Sequence, residues 1–297
     1  MVKYSTRIES LSRALSKANG NTSATTGADG SFSIAGVPTI LGNIVATATA
    51  TVSGTMLSGR SPGIAPVAGG VTNVGDIIIL ANRMAVFGAP STASWNIDVK
   101  NKIESTGFFT VVDAFLVSPG SPVPTLAQLQ QYNAVLVYSD TSFNDNVAIG
   151  NVLADYMDGG GNVVLATFAF WNSQGLSIQG RIKTAGYLPF TTANQNQPGG
   201  LTLVAVDPLH PILNGVSSFN GGSSSYHNSP ITTAAGATLI ANWSNGQPLV
   251  ATRITTGGRI VGLNFYPPSS SVRGDFWVSS TGGARLMANA LLWAASR

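Results

Sequence analysis

From Met84 onward, short and nearly uninterrupted apolar runs alternate with amphipathic stretches, and this alternation limits what the chain can fold into. Residues 84–89, 109–117, 134–140 and 162–170 read as strands. Between them, 94–106, 126–132 and 147–157 read as helices, the first closed by Gly107 and the third by Gly159-Gly160-Gly161. A strand that is apolar at almost every position must be covered on both faces, as happens in a parallel sheet sandwiched between helices. After Gly199 strand patterns dominate, at 201–206, 238–243, 249–254 and 259–265, with hairpin turns at Ser244-Asn245-Gly246 and Thr256-Gly257-Gly258. Residues 286–295 close the chain as a helix with Leu286, Ala290 and Trp293 on one face.

The first part follows a different pattern. Residues 31–34 follow the turn signal Ala28-Asp29-Gly30, and 43–52 alternates Ile44, Ala46, Ala48 and Ala50 against Val45, Thr47, Thr49 and Thr51. A third apolar segment, 74–80, ends in Ile77-Ile78-Ile79-Leu80. These read as a small β-sandwich. Residues 1–19 carry Ile8, Leu11 and Leu15 at helical spacing, and form either a short polar leader helix or a tail. The expected organisation is 1–20 leader, 21–82 sandwich and 83–297 α/β domain.

Composition narrows the chemistry. Cysteine is absent from the 297 residues, which excludes disulfides, thiolate zinc sites and a cysteine nucleophile. Charged residues make up 9% of the chain, against about a quarter in an average soluble domain. The surface is therefore built from hydroxyls and amides, which suits an extracellular or periplasmic origin, although no secretory apolar segment follows the start. The net charge of +3 resides in the head, at Lys3, Arg7, Arg13 and Lys17, so no basic face is expected for nucleic acid. No apolar run reaches the roughly 18 residues of a membrane span.

Two resemblances follow from particular residues. Thr25-Thr26-Gly27-Ala28-Asp29-Gly30-Ser31-Phe32-Ser33-Ile34, Gly36-Val37-Pro38, and the segments 44–50 and 75–80 resemble the carboxypeptidase regulatory-like β-sandwich modules. Such modules open with one or two further strands, so the sandwich here is expected to be incomplete, with an exposed edge. Over nearly all of 84–297, three stretches are similar to the class I glutamine amidotransferase-like fold and its ThuA-like branch. They are Gly159-Gly160-Gly161-Asn162-Val163-Val164-Leu165, Asp207-Pro208-Leu209-His210-Pro211-Ile212-Leu213-Asn214-Gly215-Val216, and Val261-Gly262-Leu263-Asn264-Phe265-Tyr266-Pro267-Pro268. The last resembles the family's Gly-x-Gln-Phe-His-Pro-Glu segment. The resemblance implies a flavodoxin-like, mostly parallel sheet with helices on both faces. It also implies that Phe168, Tyr266 and Pro268 stand where the family has its nucleophilic cysteine, its histidine and its acid. A thiolate, a base and an orienting carboxylate are all required for that relay, so glutamine hydrolysis is not expected.

Ligands of open α/β sheets sit at the carboxyl ends of the strands. Ser91, Ser94, Ser139, Asp140, Thr141, Thr167, Trp171 and Asn172 are expected there, with the loops of His210 and His227. Asp140, Ser142, Asn144 and Asp145 have the spacing of a calcium loop, although Asn144 or Asp145 could equally cap the next helix. Trp171-Asn172-Ser173-Gln174-Gly175 keeps the last three places of a Gly-x-Ser-x-Gly elbow, so Ser173 is either a nucleophile served by His227 or a turn residue. Trp171, Trp243, Trp277, Phe143, Tyr226 and Tyr266 fall in or beside loops rich in amides and hydroxyls, where they either stack on sugars or plug the core.

Two functions compete. One is a non-catalytic module of a secreted multidomain protein, binding a carbohydrate or small molecule through Ser139, Trp171, Asn172, Tyr226, Tyr266 and Trp277. The other is an ester, lactone or glycoside hydrolase built on Asp140, Ser173 and His227, or on Asp140 and Asp145 with calcium.

Overall fold

The computed structural model describes residues 15–17, 22–27, 31–52, 55–61, 63–75, 77, 83–173 and 175–296. They fall into two compact units, one within Met1–Asn82 together with Gly107–Thr110, the other Arg83–Thr106 with Val111–Arg297.

In the smaller unit, β1 (Leu15–Lys17), β2 (Ser23–Thr25), β3 (Thr47–Val52) and β4 (Thr55–Arg60) form one antiparallel sheet in the order β2-β1-β3-β4. The Ala/Thr alternation of β3 does what a period of two requires: Ala48 and Ala50 are buried, continuing the row of Ile44 and Ala46. Two expectations change here. Leu15–Lys17, read as the end of a helix, is a strand between β2 and β3, because its backbone finds ladder partners on both sides. Residues 31–34 are not a strand; the Ser31 carbonyl instead accepts from the Gly27 amide at 2.8 Å. The rest of the expected leader helix, and residues 76 and 78–80 of the expected closing strand, lie outside the described residues.

The larger unit alternates as its apolar runs predict. It contains β5 (Arg83–Ala89), α1 (Ser94–Glu104), β6 (Val111–Leu116), α2 (Leu126–Leu129), β7 (Ala134–Ser139), α3 (Asn146–Asp158), β8 (Val163–Ala166) and α4 (Arg181–Thr184). Then come β9 (Gln195–Asn196), β10 (Leu203–Ala205), β11 (His227–Asn228), β12 (Thr238–Trp243), β13 (Pro248–Ile254), β14 (Arg259–Leu263) and α5 (Gly283–Ala295). Eight of these strands form a sheet in the order β10-β12-β13-β14-β8-β7-β5-β6. The five from β14 to β6 run parallel, and the three at the other end are antiparallel. Every residue of β7 and β8 is buried, as strands clothed on both faces require. Ala85, Phe87, Val135, Val137, Val163 and Leu165 share a core with Ile149, Leu153 and Met157 of α3. The alternate residues Met84, Val86, Leu136 and Val164 are equally buried, on the face where α1 and α5 pack.

Local chemistry holds α3 in place. The Asp145 carboxylate accepts from the Val147 and Ala148 amides at 3.1 and 2.8 Å, an N-cap that contributes about 1 kcal/mol. Gly150 lets the helix approach the following loop closely: a Cβ there would lie 1.7 Å from the Gln179 carbonyl oxygen.

Taken along the chain, the parallel strands β5, β6, β7, β8 and β14 have the spatial order 2-1-3-4-5 of flavodoxin-like sheets. The order reverses between β5 and β7, and the crevice above that point is where such sheets place ligands.

Candidate functional site

At the reversal point β5 ends at Ala89 and β7 at Ser139, and the next turn is drawn back onto β5. The amides of Asp140 and Thr141 both donate to the Ala89 carbonyl at 2.8 Å. The half-buried Asp140 carboxylate accepts from Ser91 Oγ at 2.6 Å, from the Ser91 amide at 3.4 Å and from the Tyr266 hydroxyl at 3.0 Å. Burial, with the charge of Asp140 nearby, pushes the Tyr266 phenol well above its ordinary range, so it stays protonated and donates.

Aromatic rings fill the space above. Phe168 follows β8 and stacks on Tyr266, which follows β14, with centroids 5.6 Å apart. Tyr226 meets Phe168 edge-on at 5.9 Å, and Phe276 meets Tyr266 edge-on at 4.9 Å. Arg273 covers Phe276 at 5.0 Å and pairs with Asp275. The cavity left between Tyr226, Trp243, Tyr266 and Trp277 is about 10 Å³, at most the room one water needs. Tyr266 and Trp277, expected on a binding surface, are 3% and 2% exposed, and the Trp277 indole N–H is spent on the Pro267 carbonyl at 2.7 Å. Trp243 and Phe143 are buried as well.

Beneath the rings lies a buried polar cluster. The Asn264 side-chain oxygen accepts from the Asn228 amide at 2.7 Å and the Thr167 hydroxyl at 3.1 Å. Its NH₂ donates to the carbonyls of Asn228 and Pro248 at 3.0 and 2.8 Å. The Asn228 side-chain amide in turn donates to the Asn194 carbonyl at 3.3 Å. All three side chains are fully buried, and the cluster ties the ends of β8 and β14 to β11. Neither Asn228 nor Asn264 was a sequence candidate, because these partners lie tens of residues apart.

Among the described residues no hydrogen bond joins Ser173, His227 and Asp140. Ser173 offers its carbonyl to Ser177 and shapes a turn. Ser139 is fully buried and donates to the Leu176 carbonyl at 2.6 Å. His227 is fully buried; its Nδ1 donates to the Ser225 carbonyl at 2.7 Å, and its Nε2 accepts from Asn245 at 3.4 Å. The residues of the calcium-type spacing have other partners. Asp145 caps α3, Asn144 accepts from the Gly120 amide at 3.4 Å, and Ser142 lies against Gly175. Among the described residues no three of His, Asp or Glu gather as a metal group.

His227 makes acid stability testable. Burial lowers its pKa below the 6.5 of a free histidine, and His210 is lowered by burial too. Between the folded value and about 6.5 the unfolded chain therefore binds more protons, so stability rises with pH across that window. Acidification from pH 7 is expected to lower the melting temperature once below about pH 6.5. His227→Gln should flatten that slope in melting curves from pH 8 to 5; an unaltered slope would show that His227 does not cause it.

An open cleft lies beside the plugged crevice. Trp171, half-buried, bounds it together with Asn194, Gln195, Asn196 and Gln197, and its volume is about 520 Å³. The exposed Asn172 stands next to Trp171. The walls are pinned by backbone: the Asn172 amide donates to the Ala193 carbonyl at 2.8 Å, the Ala193 amide to Phe170 at 3.0 Å, and β9 pairs with β11. Phe168 backs the indole at 5.8 Å. The tetrad Asn194-Gln195-Asn196-Gln197 was not singled out from the sequence, although four consecutive amides before Pro198-Gly199-Gly200 were a readable signal.

No protein-family model matches the chain, and no curated protein matches its sequence. Among solved structures it is similar to a ThuA-like protein of Parabacteroides merdae, with a TM-score of 0.50 and 15% identity over 73% of this chain and 91% of that one. A ThuA-like protein of Bacteroides uniformis gives a TM-score of 0.49 and 16% identity over 72% and 91%. The likeness is one of fold: a ThuA-like, class I glutamine amidotransferase-like architecture with a flavodoxin-like, mostly parallel sheet.

Proposed function

We propose that the larger unit is a non-catalytic carbohydrate-binding module on an amidotransferase-like framework that has lost its triad. The observation that carries this reading is the cleft at Trp171, where a half-buried indole stands beside amide side chains. A sugar ring presents a flat C–H face and a rim of hydroxyls; the indole offers an apolar face, and amides offer donors and acceptors together. The crevice that would hold a reacting group is occupied by Phe168, Tyr226, Tyr266 and Phe276. The resemblance to the amidotransferase segments puts Phe168, Tyr266 and Pro268 in the places of nucleophile, base and acid, and none of them can form a thiolate relay. The low charge fits a secreted protein, in which the smaller unit serves as an incomplete carboxypeptidase regulatory-like neighbour.

One observation favours a hydrolase instead: Ser91 Oγ lies 2.6 Å from Asp140 at the reversal point. A single experiment separates the two. The chain is applied to a glycan array, and the retained glycans, with simple esters and lactones, are then assayed for new reducing ends or acid. Retention without product is expected. Turnover that disappears in Asp140→Ala would establish the hydrolase.

A further inference from the structure

Resting on that reading, we infer that the Trp171 cleft takes internal residues of an uncharged polysaccharide chain, one ring on the indole and its neighbours along Asn194–Gln197.

Charge decides the class of sugar. Residues 159–180 and 184–206, which contain Trp171 and the amide tetrad, hold no Asp, Glu, Lys, Arg or His. Arg181, between the two stretches, is engaged by Asp155 and Asp158, and Lys183 donates to Gln179 at 3.1 Å. Uronates and other acidic sugars are recognised by guanidinium or ammonium groups, and the cleft lining has none. Amides match hydroxyls, each of which donates and accepts.

Shape decides between a chain and its end. Gln195 and Asn196 form β9, with Asn194 and Gln197 flanking it, so the four amides reach at most about 10 Å at about 3.3 Å per residue, room for more than one sugar ring. Asn194, Asn196 and Gln197 are exposed, so nothing in the lining closes the cleft over a terminal sugar. The site is also set before binding. Phe168 supports the indole, and Asn228 and the Ser229 amide hold the Asn194 carbonyl, the latter at 2.8 Å. A rigid platform reduces the ordering cost of binding.

The test is affinity electrophoresis of the full chain in gels containing galactomannan, hydroxyethyl cellulose or soluble starch, alongside polygalacturonate and alginate. A neutral polymer should retard the protein, and the retardation should survive about 1 M NaCl, where charges are screened beyond about 3 Å. Trp171→Ala should weaken retention at least tenfold, as loss of a central aromatic anchor does. Gln197→Ala, at an exposed position, should weaken it less and leave the melting temperature unchanged. Stronger retention by polygalacturonate or alginate, collapsing in salt, would overturn the uncharged class and leave carbohydrate binding standing. Competition by a methyl glycoside as effective as by an oligosaccharide would overturn the internal-chain mode. Retardation by none of the polymers would overturn both this inference and the binding function.

Discussion

Phe168→Ala is expected to cost about 3–5 kcal/mol of stability and also to weaken polysaccharide retention, although the residue lies beneath the surface. Phe168 is 2% exposed and touches Tyr266, Tyr226 and Trp171, with ring centroids 5.6, 5.9 and 5.8 Å away. Its removal leaves a cavity that three rigid rings cannot fill without losing their own packing. In a unit of this size each kcal/mol moves the melting temperature by about 2–4 °C, so a fall of about 10 °C is expected. The second effect is the more informative one. Without the ring behind it, the Trp171 indole recovers rotamer freedom that binding must then remove. Phe168→Leu keeps most of the volume and should restore stability more fully than retention. Thermal melts and affinity gels on the same samples check both; undiminished retention in folded Phe168→Ala would remove Phe168 from its positioning role.

Asn264→Ala should be of comparable size for a different reason. Its side chain makes four hydrogen bonds in a fully buried setting. Truncation strands the Asn228 amide and the carbonyls of Asn228 and Pro248, and each buried orphan costs about 1–3 kcal/mol, so a loss of at least about 3 kcal/mol is expected overall. Asn264→Asp distinguishes bonding from filling. The shape is kept, but the donor facing two carbonyls becomes an acceptor, so the loss should be nearly as large. If Asn264→Asp melts like the parent chain, the cluster is not what holds these strand ends. Because Asn228 also holds the Asn194 carbonyl, both variants should loosen β9 and weaken retention.

Much of the fold was legible in the sequence for a simple physical reason. Strands buried on both faces are written as apolar runs, and β5, β7, β8 and β14 match the expected segments within a few residues. Their spatial order was not written anywhere local; it came through resemblance. The smaller unit was harder to read. Leu15–Lys17 lies in a stretch whose apolar residues have helical spacing, yet its backbone has ladder partners in space, and β4 carries no marked alternation. At the site, Trp171 and Asn172 were found because an aromatic ring among amides is a local signal. Tyr266 and Trp277 were placed with them, since sequence cannot tell a ring that faces solvent from one that closes a crevice. Asn228 and Asn264 escaped altogether, because their roles depend on partners brought together by the sheet.

Aromatic rings fill the sheet's crevice, and under the proposed function binding falls to the rim at Trp171. The most direct measurement is an NMR titration of the isotopically labelled chain with an oligosaccharide of the retained polymer. Shifts are expected in the Trp171 indole N–H and the side-chain amides of Asn194, Gln195, Asn196 and Gln197, with Ser91, Asp140 and Thr141 unmoved. Shifts centred on Ser91 and Asp140, with the indole signal unchanged, would contradict binding at the rim.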